Sequence, residues 1–335
     1  MTFRRLPILI LLALLMVSVV PLAAQEVEDT EILGYTISAP VDGMRTVEHF
    51  MGETEIPADP QRIITLHDQG LTMVALELGV RPIGSHGRTS EDGTNFFRLG
   101  PGYLGEGIEH VGTFGAVNLE RILELEPDLI IGRNFEEEIY DDLTSIAPTI
   151  LVPSEIHFYP IPFSEYVATL LNRTERHDEL VAQYEGTIER IRQLVPNYEE
   201  VYATALIMSG GEGEIFVRGF GMNIDTVLED VGFNRREALQ DIPFESATSL
   251  SLEVANTVDA DFIFNHYWDW TIGESASVEN GPIWQSLWAV QNGQYITTYG
   301  LSTYGSAMYH LNNAAEMVLT HIGERDFITR EGGWE

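Results

Sequence analysis

Residues 174–195 read TERHDELVAQYEGTIERIRQLV, and the spacing of their apolar members decides how the rest of the chain is organised. Leu180, Val181, Tyr184, Ile188, Ile191 and Val195 recur at helical intervals, whereas the intervening positions are charged or polar. Thr174 is placed to cap the helix, with His177 and Asp178 in the first turn, and Pro196 closes it. A helix over 174–194 is ~31 Å long at 1.5 Å per residue, enough to cross between two lobes. Gly186 costs this helix ~1 kcal/mol of propensity without abolishing the pattern.

On both sides of this segment, short apolar runs alternate with helical ones. Upstream, Arg45–Thr54 (RTVEHFMGET) reads as a hairpin with Gly52 at the turn. Strands follow at Arg62–Leu66, Val80–Gly84, Asp128–Gly132 (DLIIG) and Thr149–Val152, with helices at Leu71–Leu78, closed by Gly79, and Leu119–Leu125. Downstream, strands are expected at Ala203–Met208, Asp261–Phe264 and Gln294–Thr298. Helices are expected around Ile224–Val231 and over Ser306–His321. The fold class is α/β: two halves with buried, mainly parallel sheets and one long helix between them. The domain boundaries are 1–24, 25–44, 45–173, 174–195 and 196–335, in the order signal peptide, flexible lead-in, first lobe, bridge and second lobe.

The opening segment is a secretory signal. Arg4 and Arg5 precede the apolar stretch Ile8–Val20, and Pro21-Leu22-Ala23-Ala24 supplies small residues for cleavage before Gln25. The apolar stretch is short of the ~20 residues a membrane span needs. The chain has 335 residues, no cysteine, no lysine and a net charge of −34 from 18 basic and 52 acidic side chains. Disulfides, Cys-ligated metal, a thiol nucleophile and a lipidated cysteine are therefore excluded. A nucleic-acid partner is disfavoured, because that needs a basic face. Gly-x-Ser-x-Gly, P-loop and dinucleotide fingerprints in strand–helix context are also missing, which leaves a hydrolase a remote reading.

Several stretches in order resemble the periplasmic iron–siderophore binding proteins of ABC importers, class III. These are RTVEHFMGETEIPADPQRIITL (45–66), LTMVALELGVRPIG (71–84), VGTFGAVNLERILELEPDLIIG (111–132), the helix at 174–195, and PIWQSLWAVQNGQ (282–294). The resemblance implies two Rossmann-like lobes joined by a single long α-helix, capture of an Fe(III)–siderophore in the cleft between them, and delivery to a permease dimer with its ATPase. Relatives that bind haem, cobalamin or bare metal ions are the alternative. No resident cofactor, no directly bound metal and a monomer are expected. Lacking the cysteine that many members lipidate, the mature protein is expected free in a periplasm, or tethered only by an uncleaved N-terminal segment. The resemblance also assigns Glu120 and Glu253, which stand at equivalent places in the two lobes ahead of Pro127-Asp128 and Ala260-Asp261, to permease docking.

Ligands of open α/β sheets bind beyond the carboxyl ends of the strands. That rule selects His67-Asp68, His86, Arg88, Phe114 and Arg133-Asn134 in the first lobe. In the second it selects Arg218, His266, Tyr267, Trp268, Trp270, Tyr299 and Tyr304. Arg133 leads among the polar candidates, since a guanidinium fork suits chelate oxygens; its alternative is an ion pair with Glu136–Glu138. The aromatic run HYWDW (266–270) offers ring surface to a bulky chelate, while Trp284 and Trp288 read as packing residues. His67, His86 and His266 could together form a metal pocket, and Tyr299 or Tyr304 could ligate haem iron, but ordinary polar roles are favoured for all five. The acidic surface leans the ligand towards near-neutral hydroxamate or mixed chelates, unless two or three local arginines override it.

Overall fold

The computed structural model describes residues 28–334 except 154–155, 157–158, 210–213, 218–222, 243–247 and 268–271. The expected signal segment 1–24, and Arg218, Trp268 and Trp270, lie outside the described residues. The first feature is a four-stranded antiparallel meander, β1–β4, at Thr30–Ile32, Tyr35–Ile37, Met44–His49 and Gly52–Pro57. The hairpin read at 45–54 is its second half. The residues before it, expected to be irregular, instead contribute β1 and β2, because Ile32 and Ile37 bury against the main core. Strands of three residues are too short to leave a periodic signal.

The first lobe is a sheet of β5 (Ile63–Thr65), β6 (Gly84–Thr89), β7 (Asn95–Phe96), β8 (Glu109–Thr113), β9 (Ala116–Val117), β10 (Leu129–Arg133) and β11 (Thr149–Val152). Its spatial order is β11-β10-β5-β6-β8-β9. Every pair from β11 to β8 is parallel; β9 and the side strand β7 are antiparallel. Chain order therefore reverses between β5 and β10, a topological switch point of the Rossmann kind. The second lobe orders β14 (Thr248–Ser251), β13 (Glu214–Val217), β12 (Ala203–Ser209), β15 (Phe262–Tyr267) and β16 (Tyr295–Tyr299), with β12, β15 and β16 parallel.

Three expected elements shift. The strand expected at Val80–Gly84 begins only at Gly84, since Pro82 cannot donate to a ladder, and it runs on to Thr89. The strand expected to end at Phe264 continues to Tyr267, where His266 pairs with Ile207 and Thr298. The helix expected from Leu71 starts earlier, as a π-type turn at Asp68–Thr72 that passes into Met73–Glu77. The bridging helix spans Thr174–Leu194 as its periodicity requires, but Arg173 occupies the cap position and Thr174 is the first helical residue. The C-terminal helix is Met308–Val318, followed by a π-type turn at Leu319–Gly323.

One hydrophobic core runs through both lobes. Ile63, Leu129, Ile131 and Ile150 bring one face of the first sheet to it. The bridging helix adds Leu180, Tyr184, Ile188 and Ile191, and the C-terminal helix adds Met308, Leu311, Ala315 and Val318. The opposite sheet faces have separate cores, around Ile64, Val111 and Ile130 in the first lobe and Leu206, Ile263 and Trp284 in the second. Trp284 is fully buried against Tyr295, and Trp288 packs edge-on against Trp334, so both are packing residues.

Polar contacts also cross between the lobes. The buried carboxylate of Glu77 receives the N–H groups of Met308 (2.9 Å) and Tyr309 (2.7 Å), the first amides of the C-terminal helix. Tyr309 donates to the Pro101 carbonyl (3.1 Å), and its ring fills the space that a Cβ on Gly100 would need. With a helix, a continuous core and a buried carboxylate holding the lobes, ligand should move them little. Solution scattering with and without a bound ferric chelate should give nearly equal radii of gyration; a large closure would contradict this architecture.

Candidate functional site

The switch point puts two side chains together. His67 follows β5, Arg133 ends β10, and the Arg133 guanidinium lies 3.5 Å from His67 Nε2. They line a cleft of about 460 Å³ with Arg88, Phe114 and Tyr304, and with Gln69, Gly70, Arg98, Phe135 and Ser306. Five of the residues selected from the sequence thus meet in one place. Tyr267 and Tyr299 form a ring pair (5.6 Å) at the carboxyl ends of β15 and β16, apart from that lining. His86 and His266, expected just beyond strand ends, are buried inside β6 and β15. His86 packs under the His67 ring (5.7 Å), whereas His266 is held at Nδ1 by Thr298 and Thr303 in the other lobe. No cluster of metal-ligating side chains occurs among the described residues.

The electrostatics of the cleft differ from those of the chain. Arg133 is only 8% exposed, its guanidinium stacks 4.9 Å from the Phe135 ring, and burial lowers its pKa to about 10. The alternative reading of Arg133, an ion pair with the following acidic run, does not form within 4 Å. Instead the Glu136 carboxylate accepts the backbone N–H of Arg133 (2.8 Å), and burial pushes its pKa up to about 7. Arg88 likewise has no carboxylate within 4 Å among the described residues. Arg98 is paired: its Nε and Nη2 donate to Asp68 at 3.1 and 2.7 Å. Burial pushes the Asp68 carboxyl up, but the Arg98 hydrogen bonds and charge outweigh it and hold it at about 2. Three guanidinium groups therefore face one firmly ionised carboxylate.

Around this cationic floor stand rings. Phe114 and Phe135, each about half exposed, meet edge to face at 4.8 Å on the rim. Tyr304 comes from the second lobe; burial raises its pKa to about 12, with Arg133 pulling the other way, so it presents a phenol. Such a site fits a bulky anion with apolar flanks.

Arg98, Phe135, Gln69, Gly70 and Ser306 were not selected from the sequence. Phe135 needed only a rule reaching two residues past β10. Arg98 lies in the long connection from β6 to β8, where glycines and aromatics follow no period, and no sequence signal places it.

The lobes are also equivalent in detail. Asp128, before β10, accepts the N–H groups of Gln61 and Arg62 at the start of β5 (both 2.8 Å). Asp261, before β15, accepts that of Tyr202 at the start of β12 (2.9 Å). Glu120 is exposed in the first turn of the helix Leu119–Glu124, capped by Asn118. Glu253 is exposed in the short 3₁₀ helix Leu252–Thr257.

Fold and crevice together define a two-lobed ligand-binding protein. The chain belongs to the periplasmic binding protein family, whose model matches residues 104–299. It is 29% identical over 273 residues to the probable siderophore-binding lipoprotein YfiY of Bacillus subtilis, covering 74% of this chain and 78% of that one. Against the Fe(3+)-citrate-binding protein YfmC of the same organism it is 25% identical, covering 75% and 76%. In three dimensions it resembles Staphylococcus aureus SirA complexed with staphyloferrin B, with a TM-score of 0.66 and 25% identity over 82% of this chain and 97% of that one.

Burial keeps several histidines neutral, with pKa values lowered to about 4 for His49, His86 and His266 and about 3 for His310. The unfolded chain then takes up these protons first, so this contribution to stability is full above pH ~6.5 and is lost as pH falls towards 4. Glu77, raised to about 8 by burial, and Glu136 act in the opposite sense, gaining stability as pH falls towards ~4.5. The His310→Leu variant should therefore lose less of its thermal midpoint than wild type between pH 6.5 and 4. Parallel pH profiles would contradict the buried neutral His310.

Proposed function

We propose that this chain is the substrate-binding component of an ABC importer, capturing an anionic ferric siderophore and passing it to a permease dimer driven by its ATPase. The observation that carries the reading is the cluster of Arg88, Arg98 and Arg133 at the switch point, where Asp68 pairs with Arg98 and the Glu136 carboxyl lies beside Arg133. An oxygen-rich chelate with negative charge meets those donors, and its organic arms meet Phe114, Phe135 and Tyr304. This moves the ligand away from the near-neutral hydroxamates towards carboxylate- or catecholate-bearing chelates. The names of its relatives, which include siderophore-, ferric-citrate- and iron-hydroxamate-binding proteins, support an iron chelate as the ligand without choosing among these chelates.

In this reading the protein works as a monomer and catalyses nothing, and the iron chelate is its cargo. Residues 1–24 export it, and the mature chain stays in a periplasm, free or held by an uncleaved N-terminal segment. Residues 45–173 and 196–335 act as the two lobes. Tyr267 and Tyr299, at the carboxyl ends of their strands, add ligand contacts from the second lobe. Glu120 and Glu253, one per lobe and both exposed, set register on a two-fold symmetric permease and steer docking.

Calorimetric titration with ferric citrate should give one tight site per chain. In Arg133→Ala, loss of a charge-assisted contact of ~1.5–3 kcal/mol should weaken binding about ten- to a hundred-fold. Unchanged affinity would return Arg133 to a structural role. The double variant Glu120→Arg/Glu253→Arg should bind the chelate normally yet fail to support uptake with its permease in reconstituted vesicles; normal uptake would sink the docking role.

A further inference from the structure

The stretch Gly132-Arg133-Asn134-Phe135-Glu136 leaves β10 and turns at once into a short 3₁₀ helix, Asn134–Ile139. Arg133 and Phe135 come out on the cleft side, the guanidinium over the ring. Glu136 goes the other way. It is 2% exposed, and its Oε2 accepts the Arg133 backbone N–H at 2.8 Å, which closes the turn. Room for the carboxyl exists because residue 132 is glycine: a Cβ there would lie 3.1 Å from that oxygen and 2.9 Å from the Leu151 side chain. Glu136 thus grips the backbone of Arg133 while the guanidinium lines the cleft.

A buried carboxyl beside a buried guanidinium is a charge balance that a proton can alter. Burial favours the acid and pushes its pKa up to about 7, against the pull of Arg133. Arg133 is the charged side chain that acts on it among the described residues. The neighbouring β11 has no titratable side chain, and Asp141 and Asp142 of the helix Tyr140–Thr144 are exposed, as are Glu137 and Glu138. Arg133 in turn faces His67 (3.5 Å) and Tyr304. As the acid, Glu136 leaves the Arg133 charge to the cleft; as the carboxylate, it offsets part of that charge. An anion against Arg133 therefore favours the acid and draws in a proton. By the same linkage, affinity falls as pH rises through neutrality.

We propose that Glu136 is a positioning and specificity-determining residue: it closes the turn that presents Arg133 and Phe135, and by binding or releasing a proton it sets how much of the Arg133 charge an anionic chelate meets. The assignment rests on the siderophore reading above and adds proton uptake to capture.

Two substitutions separate the grip from the charge. Glu136→Gln keeps an oxygen for the Arg133 amide but is uncharged at every pH, whereas Glu136→Leu removes the acceptor. Calorimetric titration with ferric citrate, in buffers of different ionisation enthalpy, reads affinity and proton uptake together. Speciation of the chelate and titration of His67 act on wild type and variants alike, so the proteins are compared at equal pH. At neutral pH wild type should take up more protons on binding than Glu136→Gln. One pH unit below the Glu136 pKa the two should bind alike; one unit above it, Glu136→Gln should bind on the order of fivefold more tightly. Glu136→Leu should bind on the order of tenfold more weakly at both and melt a few degrees lower, since the Arg133 amide loses its acceptor. Equal proton uptake in wild type and Glu136→Gln, an affinity ratio independent of pH, or wild-type affinity in Glu136→Leu would overturn the assignment alone. Wild-type protein that fails to bind ferric citrate would overturn the anionic-chelate reading and this assignment together.

Discussion

The carboxylate of Glu77 on the first two amides of the C-terminal helix is the contact on which the geometry of the cleft depends. Glu77 belongs to the helix that follows the His67–Gly70 turn, while the C-terminal helix follows directly on Tyr304 and Ser306. Fixing one helix on the other therefore fixes the two walls. Helix amides without intrahelical partners need an acceptor, and the two carboxyl oxygens of Glu77 accept one each. The Gln69–Tyr304 contact, a side-chain amide donating to a carbonyl at 3.1 Å, then sits across a gap whose width is already set. A crevice held open in this way spends little of its binding free energy on ordering itself.

Charge acts on two length scales. Over the whole chain, 52 carboxylates against 18 arginines repel an anion at long range, but salt screens that field beyond ~8 Å at physiological ionic strength. Inside the crevice the sign reverses, and there burial makes each guanidinium count for more. Burial of the Arg133 guanidinium lowers its pKa despite the neighbouring Glu136, and a bound anion would relieve that cost. Asp68 neutralises Arg98 but leaves its fork fixed in place. The site is therefore cationic without being uniformly so, which suits an anion whose charge is spread over several oxygens.

The bridging helix was legible because its apolar stripe repeats for 21 residues, and DLIIG because a buried parallel strand is continuously apolar. Arg133 and His67 were legible through one topological rule about strand ends. His86 and His266 were misplaced for a physical reason: the apolar run stops at the first polar residue, whereas the ladder continues through it. The β1–β2 hairpin was too short to show a period. Arg98 depends on a loop whose path is set by Tyr309 and Asp68, contacts that no local pattern contains. The equivalence of Asp128 and Asp261 was visible as spacing, but its role in clamping the neighbouring strand emerged only in three dimensions.

The central claim is that an iron chelate sits at the switch point between the lobes. Iron-edge anomalous diffraction from crystals grown with ferric citrate tests it without reference to any variant. The account predicts one strong iron peak per chain, in the space bounded by His67, Arg88, Arg98, Arg133 and Tyr304. An iron peak on the outer surface, or iron bound directly by His67 and His86 with no chelate density beside Arg133, would contradict it.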